Sequence, residues 1–360
     1  MRWEPARAEF PVLERLAYLN AGTNGPLARS THEAIAAQER SDVESGRGGP
    51  AYFERALALR DEVRTKLAAV VGVEPALMSL ATSTTNGCNI VLSGLQLEPS
   101  DEVLTTDGEH FGLLGALAAS TAQVQVALVR ELPPAESLQV LLDAITPATK
   151  LIALSHVCWM SGNRYPVEEL RRESGLPVLV DGAQSAGGIP VDAAAVDFYA
   201  FSCQKWLCGP DATGGLVVRD PEALAVTAPS YLSQQAYEPT GSFTPRDGAA
   251  RFDSNWTPVP SLAGLSAALD MAPEGRFERA AELTARCREL LAERVELVTA
   301  PDQAALVTFR AEGDTRELVH GLYDAGVVVR DIPGLGWVRV SCGWWTSDDD
   351  LRRLADGLTG

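Results

Sequence analysis

Short apolar runs alternate with longer stretches in which apolar residues recur three or four positions apart through much of the chain. Leu77–Ala81, Glu102–Thr106, Val124–Val129, Leu151–Val157, Val178–Val180, Phe198–Phe201 and Gly215–Val218 read as strands bounded by turn residues. Ala51–Val71, Val167–Glu173 and a segment opening at Thr84 carry the helical period between them. Strands separated by helices predict an α/β fold with a mostly parallel sheet. After Phe252 the texture changes. The helix SLAGLSAALDMA leads to an Arg/Glu-rich helix, Arg276–Arg294, then to Ala304–Phe309, a helix at Thr315–Asp324, the strands Val327–Val329 and Val338–Val340, and a last helix, Ser347–Leu358. That helix opens SDDD, a capping residue followed by acids that suit the helix dipole. The expected organisation is an N-terminal arm over 1–25 that returns to the active site and a large domain over 26–250. A smaller α+β domain over 251–360, including an interdomain helix, completes it.

Composition narrows the function. The chain has 360 residues, 46% hydrophobic and 22% charged, with a net charge of −18. An acidic protein of this kind is a poor match to nucleic acid or to an anionic membrane, both of which require a cationic surface. The six cysteines show no CxxC spacing and the four histidines form no HExxH pattern. Reduced thiols, no metal centre and a cytoplasmic location are therefore expected. The N-terminus carries Glu and Pro where a secretion signal would be apolar, and no run of about 18 apolar residues occurs. Of 30 cationic residues only Lys66, Lys150 and Lys205 are lysines, which makes each lysine worth asking about.

The stretch VLVDGAQSAGGIPVDAAAVDFYAFSCQKWLCGP carries the most chemistry. Asp181 follows a buried-type strand, where parallel sheets place functional groups. Lys205 follows the next strand among Trp206, Leu207 and Cys208. Partial burial there lowers an amine's pKa and frees its lone pair for Schiff-base formation.

These segments resemble the class-V aminotransferase family of pyridoxal-phosphate enzymes, a fold-type I group that includes cysteine desulfurases, kynureninases and isopenicillin-N-epimerase-like proteins. The resemblance covers nearly the whole chain. It implies a seven-stranded large domain, pyridoxal 5′-phosphate as cofactor, an amino acid as substrate and a homodimer with shared active sites. VDGAQSAG is similar to the family's aspartate motif, so that Asp181 would pair with the pyridine nitrogen and Gln184 with the 3′-oxygen. FSCQKWLCGP is similar to the Schiff-base motif, which makes Lys205 the coenzyme lysine and Ser202 and Gln204 phosphate ligands. ATSTTNGCN resembles the phosphate loop, with Thr84 and Thr85 at a helix N-terminus, where backbone N–H groups hold anions. GEHFG resembles the segment whose imidazole, here His110, stacks on the ring. SHVCWMSG resembles the segment beneath the cofactor and brings in Trp159. RFDSNWTP implies that Thr257 reaches a neighbouring subunit's phosphate. WVRVSCGWW implies that Arg339 clamps the substrate carboxylate, and YLNAGTNGPL that Asn20 lines the substrate site.

Three features separate the chain from the desulfurase branch. Trp159 stands where that branch commonly has Asn, and Gln204 where it often has His. The stretch DAGVVVRDIPGLGWVRVS, upstream of and including Arg339, contains no cysteine to act as a mobile-loop nucleophile. The expected activity therefore runs through an external aldimine and Cα deprotonation by Lys205, as in an epimerase-like enzyme, a C–S or β-elimination lyase, or an aminotransferase. Desulfurase-type sulfur transfer and a non-catalytic cofactor-binding sensor module are the alternatives.

Overall fold

The computed structural model describes residues 3–358. Seven strands form the central sheet: β1 (Met78–Ala81), β2 (Glu102–Thr106), β3 (Gln123–Ala127), β4 (Thr149–Ser155), β5 (Val178–Asp181), β6 (Phe198–Ser202) and β7 (Gly214–Val218). Their spatial order is β1-β7-β6-β5-β4-β2-β3, and only β7 runs against its neighbours. The fold is α/β with a mostly parallel sheet, the fold-type I arrangement. Strands β5, β6 and β7 are buried along their whole length, as a sheet covered on both faces requires. Alternate residues feed two cores. Ile152, Leu154 and Val180 pack with Val63 and Leu67 of the helix Pro50–Val70 on one face. Leu151, Ala153 and Leu179 pack with Cys88, Val91 and Leu113 on the other.

Three antiparallel strands form a second sheet, β8 (Leu306–Arg310), β9 (Arg330–Ile332) and β10 (Trp337–Ser341), in the order β8-β10-β9. Helices Arg276–Ala292, Thr315–Asp324 and Asp348–Gly357 accompany it. Ser347 and Asp350 cap the last of these reciprocally, as its SDDD opening foretells. Ala17–Tyr18 pairs in parallel with Val327–Val328, and the chain then passes along β10, with Gly22 N donating to Ser341 Oγ at 3.1 Å.

Two differences from the hydrophobic pattern matter. The apolar run Val327–Val329 does not form one strand: Val327–Val328 pairs with the N-terminal segment, and β9 starts at Arg330. Hydrophobic spacing also fails to reveal the helix Arg29–Ser45, which packs on Val259–Met271 yet has only Thr31 fully buried. Among the described residues no helix is long and apolar enough to cross a membrane.

Candidate active site

The carboxyl ends of β5 and β6 deliver Asp181 and Lys205 to one cleft of about 260 Å³. Asp181 is buried, and its Oδ1 accepts from Ala183 N at 2.9 Å. Burial raises its pKa while the charge of Lys205 opposes the rise. Lys205 keeps only partial exposure, toward the cleft. Enclosure by protein pulls its pKa from 10.5 to about 8, against the attraction of Asp181 and with the help of Arg339 and Arg330. Thr84, Thr85, His110, Trp159, Gln184, Ser202, Gln204 and Arg339 line the same cleft.

One wall is a helix N-terminus. Ser83 caps the helix Thr84–Gly94 by accepting from Asn86 N. Ser202 Oγ, from the end of β6, accepts from Thr84 N at 2.9 Å and lies 2.9 Å from Thr84 Oγ1. Gly112 closes against the same wall, where a Cβ would stand 2.5 Å from Thr85 Oγ1. Hydroxyls gathered at the positive end of a helix make a cradle for an anion.

His110 stands at the rim as the N-cap of the helix Phe111–Ala119. Its Nδ1 accepts from Gly112 N at 3.0 Å, so the neutral ring carries its proton on Nε2. Burial, followed by the charge of Lys205, pulls its pKa below the usual imidazole value. The ring meets Trp159 edge-on, with centroids 5.3 Å apart. Gln184 is held from both sides: its Oε1 accepts from Trp206 Nε1 at 3.1 Å and its Nε2 donates to Gly22 O at 2.9 Å.

Two guanidinium groups close the opposite side. Arg339, on β10, is fully buried and donates to Trp159 O at 2.9 Å and to Thr23 Oγ1 at 3.3 Å. Its Nε is buried without a partner. Desolvation, then the neighbouring Arg330 charge, lowers its pKa to about 9. Arg330 donates to Thr23 Oγ1 at 3.1 Å and stacks over the Trp159 ring at 5.5 Å. Hydrophobic patterning passes over Arg330, Thr23 and Gly22. A signal for Arg330 does exist, because the turn residues PGLG at 333–336 put positions 330 and 339 opposite each other in a hairpin.

Asn20 and Thr257 are not among the lining residues of the cleft. Asn20 Oδ1 accepts from Thr23 Oγ1 at 2.9 Å, one step behind the arginines. Thr257 is buried ahead of the helix Val259–Met271. All six cysteines are buried, and none lines the cleft.

The aminotransferase class-V family profile matches residues 18–346. Isopenicillin N epimerase of Streptomyces clavuligerus is 30% identical, the alignment covering 99% of this chain and 97% of that protein. A probable cysteine desulfurase of Xylella fastidiosa is 28% identical over 91% of this chain and 85% of its own length. Among solved structures, the complex of the cystine C–S lyase C-DES with its reaction product cysteine persulfide superimposes with a TM-score of 0.90 at 30% identity, covering 97% of this chain and 98% of that one. A lysine-to-alanine mutant of C-DES with glycine covalently linked to its PLP cofactor gives 0.91 at 29% identity, over 98% of both chains.

Proposed function

The chain belongs to the class-V aminotransferase family of pyridoxal-phosphate enzymes, and from that premise we propose that it is a lyase that breaks the Cβ–S bond of a sulfur-containing amino acid, with L-cystine as the substrate of matching charge. The residues of the cleft fit the coenzyme. Thr84, Thr85 and Ser202 offer hydroxyls at a helix N-terminus for a phosphate, with Gln204 beside them. Asp181 offers a buried carboxylate for a protonated ring nitrogen, and Lys205 an amine with a depressed pKa for the aldehyde. Trp159 and His110 flank the space between.

When bound, the coenzyme supplies an electron sink for charge developing at the substrate's Cα. The protein does the rest. Arg339 would hold the α-carboxylate in a guanidinium fork, which fixes the orientation of the substrate's Cα. Lys205 takes the Cα proton. Arg330 binds the second carboxylate, the one carried by the far half of cystine. The Cβ–S bond then breaks with its electron pair staying on sulfur, and the balance is cystine plus water giving pyruvate, ammonia and cysteine persulfide.

The single observation that carries this reading is a cleft with two guanidinium groups and no thiol. A desulfurase must present its own cysteine to the substrate sulfur; a lyase need not. The similarity to C-DES points the same way. The test is to incubate coenzyme-loaded protein with L-cystine, L-cysteine and a panel of L- and D-amino acids, and to assay pyruvate, persulfide, 2-oxo acids and enantiomer ratio. Pyruvate and persulfide from cystine are expected. Racemisation without pyruvate would replace the reading with an epimerase, and a 2-oxo acid retaining the substrate's side chain would replace it with an aminotransferase.

A homodimer is part of the proposal. Thr257 lies outside the cleft of its own chain, while Phe111 beside the cleft and Trp256 beside Thr257 are exposed aromatics that a second copy would cover. Light scattering should return twice the chain mass, and Thr257→Ala should weaken coenzyme retention.

A further inference from the structure

Glu109 directly precedes His110, and the chemistry above makes no use of it. Its side chain is buried, with 5% of the residue exposed. Oε1 accepts from Thr106 Oγ1 at 2.6 Å, and Oε2 accepts from Ser155 N at 2.9 Å and from Ser155 Oγ at 2.6 Å. Thr106 ends β2 and Ser155 ends β4, two paired strands, so the carboxylate ties their carboxyl ends together. Ser155 is in turn the register partner of Asp181 on β5. Glu109 therefore sits one strand behind Asp181 and anchors the loop that presents His110. Three donors converge on it, an arrangement suited to an ionised carboxylate.

We infer that Glu109 is a positioning residue that fixes His110 at the coenzyme and, through its charge, sets how tightly Asp181 holds the proton on the coenzyme's ring nitrogen. The inference rests on the coenzyme reading above. The titratable groups facing Glu109 are Asp181 on β5, Cys88 on the helix Thr84–Gly94, and Cys158 and Tyr165 in the connection after β4. Each is neutral or negative, so none neutralises it. Burial pushes the carboxyl up to about 7, which places its change of charge in the neutral range. Its ionisation adds negative charge behind Asp181, and a negative neighbour raises the proton affinity of a cation.

Glu109→Gln keeps the size of the side chain and an acceptor for Thr106 but removes the charge. In coenzyme-loaded protein, the pH titration of the visible absorption band should move down by about half a unit or more. The kcat/KM profile should also lose a rise near neutral pH. Ser155→Ala takes one donor from the carboxylate and should move that rise to higher pH. A band titration and profile in Glu109→Gln that superimpose on wild type overturn the inference, as does an unmoved rise in Ser155→Ala, which decides alone if Glu109→Gln does not fold. Failure of the underlying reading looks different: wild-type protein itself would then show no band that borohydride fixes at Lys205.

Discussion

Arg330 and Arg339 are direct cross-strand partners on β9 and β10, and one hydroxyl, Thr23 Oγ1, accepts from both, at 3.1 and 3.3 Å. Burial lowers the pKa of Arg339 to about 9, and the like charge of Arg330 adds to that fall. An anion entering the cleft relieves that repulsion, so binding energy for a carboxylate is stored in the unliganded geometry.

The pair should divide its work. Arg330→Ala should cut kcat/KM for L-cystine about 30-fold or more, the value of ~2 kcal/mol for a charge-assisted bond. It should affect an amino acid with one carboxylate much less. Arg339→Lys should depress both substrates, because an ammonium cannot form the guanidinium's two-pronged contact. Steady-state kinetics on the two substrate classes check this. Equal losses for both in Arg330→Ala would remove Arg330 from substrate discrimination.

In the role proposed for it, Lys205 attacks the coenzyme's aldehyde and must be neutral to do so. With its pKa drawn down to about 8 from 10.5, the rate of coenzyme uptake by the apoprotein should climb with pH and level off above about pH 8. An unperturbed lysine would still be climbing at pH 10. Stopped-flow absorbance on the apoprotein at fixed coenzyme concentration measures the inflection. Asp181→Asn should move it to lower pH, since the carboxylate is what favours the ammonium.

Much of this site is legible in the sequence. Asp181 and Lys205 follow short apolar strand runs, and their roles are expected from the resemblance of VDGAQSAG and FSCQKWLCGP to family motifs; the parallel pairing of β5 and β6 brings both to one cleft. Thr84 and Ser202 are within reach because ATSTTNGCN resembles a phosphate loop at a helix N-terminus, which suits an anion, and FSCQKWLCGP resembles the Schiff-base motif. Arg330 is passed over although the turn at 333–336 carries a signal for it, because its place opposite Arg339 follows from the hairpin register and not from the hydrophobic pattern. Gly22 and Thr23 were missed for a related reason. The arm that carries them is expected to return to the site, but YLNAGTNGPL points to Asn20, and which of its residues meet Ser341 and Gln184 depends on packing against distant parts of the chain.

Gly22 shows how tight that approach is. A Cβ there would stand 2.7 Å from Arg339 Nη2 and 3.1 Å from Gln184 Oε1. Gly22→Ala should push the guanidinium off its position. The expected result is a raised KM for the amino acid, with coenzyme affinity and thermal midpoint changed far less than by Gly25→Ala. At Gly25 a Cβ would fall 2.1 Å from the Lys205 carbonyl, and fixed backbone has no room to give. Differential scanning fluorimetry and substrate titration separate the two variants. A Gly22→Ala enzyme with wild-type KM would show that the arm yields instead of the arginine.

His156 lies behind Asp181, with its N–H donating to the Asp181 carbonyl at 3.0 Å and its Nε2 accepting from Arg164 Nε at 3.0 Å. Its Nδ1 is buried without a partner. Burial, followed by the Arg164 charge, drops its pKa from 6.5 to about 3. As pH falls below 6.5 the unfolded chain takes up a proton at this residue that the folded chain refuses. The stability it contributes is therefore complete above pH 6.5 and is lost as pH falls toward 3. Each unit is worth about 1.4 kcal/mol, so roughly 2–3 kcal/mol should be gone by pH 4.5. Glu109, whose pKa is raised in the folded state, works in the opposite sense between 4.5 and 7, but it is present in both proteins compared and cancels. His156→Gln keeps an acceptor for Arg164 and cannot titrate. Urea unfolding of the apoprotein at pH 7 and pH 4.5 should show a smaller acid loss in the variant than in wild type, and equal losses would mean that His156 protonates without unfolding its surroundings.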